Sequence, residues 1–165
     1  MVAQLSVSAL GMADAMGLVP DQAIGTLNED AIMSMLTALD RAGIGQAWTL
    51  RYASAKTKPK SLIGFLKTLR QALEESPLPE REWHKLLAVL GADLLTRLLG
   101  ISPASLNRYQ SGGRATPDEV AERLHFLALV VGDLLGSYNA LGIRRWFCGI
   151  PTKFIRDHRL SNGFG

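Results

Sequence analysis

Apolar residues recur along this chain at intervals of three and four, so its pattern reads as helical nearly throughout. Ile32, Met35, Leu36 and Leu39 form one face of a helix that begins near Asn28 and stops at Gly43, with Thr26 and Glu29 spaced as a capping box at its start. Leu62, Phe65, Leu66, Leu69 and Leu73 mark a second helix, capped by Ser61 and ended before Pro77. Trp83, Leu86, Leu87 and Leu90 face inward from a third over residues 80–90. The longest helix opens at Thr116 as N-cap, with Pro117 in the first turn and Glu119 completing a capping box, and runs to Asn139. Its main stripe is Val120, Leu124, Leu127, Val131, Leu134 and Tyr138; Phe126, Leu129, Val130 and Leu135 add apolar surface on other sides, which implies burial on two faces. Residues 45–60 break the period. Trp48, Leu50 and Tyr52 alternate with polar or small residues, and since one strand without a partner is not a sheet, a loop pinned by aromatics is the expectation.

The most constrained stretch is ADLLTRLLGISPASLNRYQS, residues 92–111. Read as two short helices joined at Gly100, it puts Leu95, Leu99, Ile101, Leu106 and Tyr109 where such helices pack on each other and on a third. Gly100 takes the tight turn, where a left-handed backbone favours a residue without Cβ. Ser102 and Pro103 follow as N-cap and first-turn proline, and Thr96 stands at an inward position that must stay small. This is the pattern of a DNA-binding helix-turn-helix. Its second helix leaves Ala104, Ser105, Asn107, Arg108 and Gln110 outward, a face rich in groups that read base edges and phosphates. The candidate DNA contacts are therefore Ser102, Ser105, Asn107, Arg108, Gln110 and, in the glycine-flanked loop after the helix, Arg114.

Composition narrows the class. With 47% hydrophobic and 20% charged residues the chain is an ordinary globular protein and not a disordered one. No apolar run reaches the roughly 18 residues that span a membrane, and no basic region followed by an apolar core marks a signal peptide. Cys148 is alone, which excludes an internal disulfide framework, and His84, His125 and His158 have no metal-ligand spacing; a cytoplasmic protein without cofactor is expected. Net charge is only +3, but its distribution is uneven. Residues 1–40 carry Asp14, Asp21, Glu29, Asp30 and Asp40 with no Lys or Arg, whereas residues 41–70 carry only Arg41, Arg51, Lys56, Lys58, Lys60, Lys67 and Arg70. The tail adds Arg144, Arg145, Lys153, Arg156 and Arg159 against Asp157, and such local fields favour polyanions. No Ser/His/Asp, Cys/His or paired-carboxylate arrangement emerges, and Gly112-Gly113 lacks the Lys-Ser/Thr of a phosphate loop, so no catalytic residue is assigned and an enzyme is not expected.

From about Leu86 to Phe147, a little more than a third of the chain, LLTRLLGISPASLNRYQSGGRATPDEVAERL followed by a long apolar helix and GIRRWF resembles the Xre/MbcA/ParS antitoxins of bacterial type II toxin–antitoxin pairs. The resemblance implies an all-α fold: an Xre-like helix-turn-helix core over residues 58–139, an N-terminal helical extension and linker over 1–57, and a short toxin-binding arm over 140–165. It implies a cognate toxin of the RES type, directed at NAD, covered by the antitoxin's C-terminal part, together with homodimerisation and repression of the shared operon through operator DNA. Residue by residue it carries toxin binding to Arg144, Arg145, Trp146 and Phe147, and DNA contact to Asn107, Arg108 and Arg114. The family normally runs on through a Gly-x-x-Pro-type turn into one or two further helices, whereas here CGIPTKFIRDHRLSNGFG follows, so the toxin-binding part is shortened or replaced. The alternative is a plain helix-turn-helix transcriptional regulator without a toxin partner.

Overall fold

The computed structural model describes residues 1–19 and 28–151, and among these every regular element is a helix. In chain order they are α1 (Val2–Ala15), α2 (Glu29–Ala42), α3 (Trp48–Ala55), α4 (Pro59–Glu74), α5 (Pro79–Leu90), α6 (Ala92–Leu99), α7 (Pro103–Gln110), α8 (Asp118–Leu135) and α9 (Ala140–Cys148). The fold class is all-α. Thr26 and the basic tail from Lys153 to Arg159 lie outside the described residues.

The N-terminal helix is a core element and not an appendage. α1 packs between α4 and α8, and its Ala9, Met12, Ala13 and Ala15 join one buried cluster that reaches Phe147. The approach of α1 to α8 depends on two glycines facing each other. A Cβ on Gly11 would stand 2.3 Å from the Gly132 carbonyl oxygen, and one on Gly132 would stand 2.6 Å from the Met12 Cα. Both helices keep hydrogen there because any side chain would push the backbones apart. The remaining packing is built around α5, which touches α1, α6, α7, α8 and α9.

Several local expectations change. Residues 48–55 are helical rather than a pinned loop: Trp48, Tyr52 and Ala55 are buried at a spacing of four and three, and Trp48 and Tyr52 meet the Phe65 ring at 5.8 and 5.7 Å. The start of this helix is satisfied from outside, by Asp40 on α2. Its carboxylate accepts from the Trp48 amide at 2.9 Å and from the Thr49 hydroxyl at 3.3 Å, which a local reading of the sequence does not reveal. Ser61 does not cap α4, which begins two residues earlier at Pro59 after Lys58. Thr116 does not cap α8, whose N-cap is Pro117; the Thr116 hydroxyl instead accepts the Trp83 indole N–H at 2.9 Å. Finally, α8 stops at Leu135, so Tyr138 leaves the expected stripe and is half exposed, while Asn139 opens α9 by accepting from the Gly142 amide at 2.9 Å. Gly43 ends α2 in a left-handed conformation, as the pattern predicts, whereas its start departs from the expected Thr26–Glu29 capping box: Asn28 is the N-cap, accepting from the Ala31 amide at 2.8 Å, and Glu29 is the first helical residue.

Candidate nucleic-acid interface and the C-terminal helix

α6 ends at Gly100, which is left-handed with φ of 67°, and the chain turns into α7 through Ile101. Ser102 then accepts from the Ser105 amide at 3.1 Å and Pro103 occupies the first turn. Leu106 is buried and Tyr109, one turn on, stacks against Trp83 of α5 with ring centroids 6.1 Å apart. These two anchors fix which side of α7 faces outward. Ala104, Asn107 and Arg108 are exposed, and Ser105 and Gln110 are half-buried at the edge. The loop that follows folds back on the helix: the Arg114 amide donates to the Arg108 carbonyl at 3.1 Å, and Gly112 takes a positive φ of 72° to allow it. Arg114 thereby stays near the end of α7, exposed like Arg108.

Not all six candidates for DNA contact are equally available. The side chains of Asn107, Arg108 and Arg114 form no hydrogen bond or ion pair within the described chain. Ser102 and Ser105 are engaged with each other, hydroxyl to hydroxyl at 3.0 Å, in addition to the cap, so their first duty is to start the helix. Thr96, expected to be inward and small, is half-buried and returns its hydroxyl to the Ala92 and Asp93 carbonyls.

The C-terminal helix α9 divides the four residues assigned to toxin binding into two pairs. Ile143 and Phe147, one turn apart, form its inner face, and Phe147 is 1% exposed. Arg144 donates from Nε to the Val89 carbonyl at 2.6 Å and from a terminal nitrogen to the Ala88 carbonyl at 3.1 Å, so it closes the C-terminal end of α5. Arg145 and Trp146 are the outward pair. Trp146 is 40% exposed, with its ring perpendicular to Phe147 at 5.0 Å. Beside them stand Leu141, 65% exposed and one turn before Arg145, and the half-exposed Tyr138. Sequence reasoning did not single out these two as partner-facing, although the inward spacing of Ile143 and Phe147 implies that Leu141 points the other way.

A buried titratable cluster lies deeper. Glu82 of α5 is 0% exposed; its Oε1 lies 2.6 Å from Nδ1 of His125 on α8 and accepts from the Leu78 amide at 3.2 Å. On the other side, the His125 Nε2 is 3.0 Å from the Glu74 carbonyl oxygen at the end of α4. Both ring nitrogens face oxygens, an arrangement that suits a doubly protonated ring. Burial opposes that charge, but the hydrogen bond and charge of Glu82, with the Glu74 and Leu73 carbonyls, outweigh it and hold the pKa above the ordinary 6.5. The cluster clamps three helices together. Cys148 is exposed, 3.7 Å from an Arg97 nitrogen, and no group of three or more His, Cys, Asp or Glu among the described residues is placed to hold a metal. Nor is any described helix long and apolar enough to cross a membrane.

Comparison with protein-family models, with curated proteins and with solved structures found no match to this chain.

Proposed function

We propose that this chain is a DNA-binding interaction protein of the antitoxin kind, with α6 and α7 as its helix-turn-helix and the outer side of α9 as its protein-binding face. The observation that carries the reading is the outward side of α7, where Asn107 and Arg108 stand exposed and unpaired with Arg114 folded back beside them. An Asn pairs with adenine and an Arg with guanine through two hydrogen bonds each, while a loop Arg suits a phosphate. A helix anchored by Leu106 and Tyr109 delivers these groups in a fixed orientation, which base reading requires. The protein acts as a homodimer on operator DNA and neutralises a RES-type toxin through Arg145, Trp146, Leu141 and Tyr138. It needs no cofactor and performs no catalysis.

The plain regulator is the second reading, and one observation favours it: Phe147 and Arg144 are committed to the chain's own core and to α5, which halves the surface that the toxin-binding assignment counted on.

Two measurements test the proposal. A labelled duplex from upstream of the chain's own gene should bind far more tightly than a scrambled duplex at matched salt, with affinity falling steeply as salt rises. Equal affinity for both duplexes refutes sequence reading. The gene adjacent to this one, expressed alone, should arrest growth, and this chain should restore it; a Trp146→Ala, Arg145→Ala double variant should not. A harmless neighbour leaves the plain regulator as the reading to keep.

A further inference from the structure

Gly64 lies in the middle of α4, is exposed, and a Cβ built on it meets nothing within 4 Å. The other glycines inside the described helices have reasons in the fold: Gly11 and Gly132 sit at the crossing of α1 and α8, and a Cβ on Gly142 would press on the Tyr138 ring at 3.2 Å. A glycine inside a helix weakens it, and at Gly64 nothing among the described residues requires one. Gly64 lines a groove of about 530 Å³ between α3 and α4, together with Leu50, Arg51, Ser54, Ser61 and Phe65. Leu50 on its edge is 71% exposed and extends the apolar surface of the groove outward.

The rim of this groove is cationic. No Asp or Glu occurs between Arg41 and Leu73. Arg51 lies over the Trp48 ring, 4.5 Å from its centroid, while Lys60 and Lys67 stand one turn to either side of Gly64 and Lys58 precedes them, all exposed. Lys56 is already paired with Glu29 and takes no part. Apolar surface flanked by cations fits an acidic polypeptide better than a nucleic acid. Base stacking needs an open aromatic face, and Trp48, Tyr52 and Phe65 are all buried. This surface is also separate from the outward side of α7, since α3 and α4 pack on α2 and α1 whereas α7 packs on α5 and α6.

We propose that the groove between α3 and α4 is a docking site for an acidic amphipathic helix of another protein, with a large apolar side chain seated against Gly64 and Phe65 and carboxylates facing Arg51, Lys58, Lys60 and Lys67. The site does not depend on the antitoxin reading. The probe is a fluorescein-labelled helical peptide with Leu and Phe along one face and Glu on the other, titrated with the full chain and followed by anisotropy. The control is the same composition scrambled so that the apolar face is lost. The ordered peptide should bind at least about tenfold more tightly than the scrambled one. Gly64→Leu fills the groove and improves the helix, and Leu50→Ser removes the exposed apolar edge; each should weaken binding about tenfold without lowering the unfolding temperature. Lys60→Glu with Lys67→Glu should do the same, and Arg108→Ala should change nothing. Equal binding of the scrambled peptide, or affinity untouched by both Gly64→Leu and Leu50→Ser, overturns the proposal. A short duplex DNA that displaces the peptide and is indifferent to Leu50→Ser also overturns it, in favour of a nucleic-acid surface.

Discussion

α5 and α7 both begin with proline and both carry a mixture of polar and apolar residues, yet they use their polar groups in opposite ways. In α5, Glu82 holds His125, the Trp83 indole holds Thr116, Lys85 meets the buried Asp14 at 2.6 Å, and the last carbonyls receive Arg144. In α7, the side chains of Asn107 and Arg108 bond to no other part of the described chain. Polar residues that fold a protein find partners within it, and polar residues that remain unpaired on a rigid helix are available to something else. The difference separates stability from binding, and substitutions on the two helices should divide accordingly.

The largest effect is expected at the centre of α5. Glu82→Ala takes away the counter-charge and hydrogen-bond partner of a buried ring, and breaking such a pair costs about 3–5 kcal/mol. Urea unfolding measures it. Replacing both partners with leucine should recover most of the loss, because the buried charge goes with its partner. The pair also sets a pH dependence. His125 has a folded pKa above its ordinary value, so its stabilisation is complete below about pH 6.5 and is lost as pH rises through the folded value. The unfolding temperature should therefore decline on passing from mildly acidic to alkaline pH, and His125→Gln should flatten that decline. A slope unchanged by His125→Gln would show that the ring is neutral in the folded protein.

The next contrast is between neighbours on α9. Arg144→Ala removes two charge-assisted hydrogen bonds from the end of α5 and should destabilise by about 1.5–3 kcal/mol. Arg145→Ala should stay within about 0.5 kcal/mol of the parent, as exposed substitutions do. If both arginines cost the same, α9 is not divided into an inner and an outer side. On α7 the prediction reverses. Asn107→Ala and Arg108→Ala should leave the unfolding curve in place and each remove roughly 1–3 kcal/mol of discrimination between operator and mismatched duplex. Loss of stability instead would put them with α5.

These residues also show which parts of the structure were legible in the sequence. The pattern over residues 92–111 led directly to Gly100, Ser102, Leu106 and Tyr109 in the positions described, because caps and turns are local and leave local marks. α1 was missed as a core element because its buried residues are mostly alanine, serine and methionine, which give little contrast between faces; its importance lies in a close crossing of Gly11 with Gly132, more than a hundred residues away. The helix over residues 48–55 was read as a loop for the same reason, since its start is satisfied by Asp40 of another helix. The role of Arg144 was equally hidden. An arginine beside a tryptophan has the composition of a binding surface, and only the position of α5 shows that its donors are occupied.

The smallest expected effect applies the same reasoning to α4, where a residue contributes nothing to the fold around it. Gly64→Ala adds a methyl group into open space and removes the backbone freedom that glycine carries into the unfolded chain. If the fold alone governs the position, the change should stabilise by about 0.5–1 kcal/mol, read as a small rise in the urea midpoint with unchanged slope. The same change at Gly132 should destabilise, since its Cβ would collide with the backbone of Met12. Two glycines in helix interiors would then respond with opposite signs. The one at the crossing of α1 and α8 is required by packing. The one in the groove weakens its own helix at a surface between lysines that no described residue fills, the surface proposed above as a docking site.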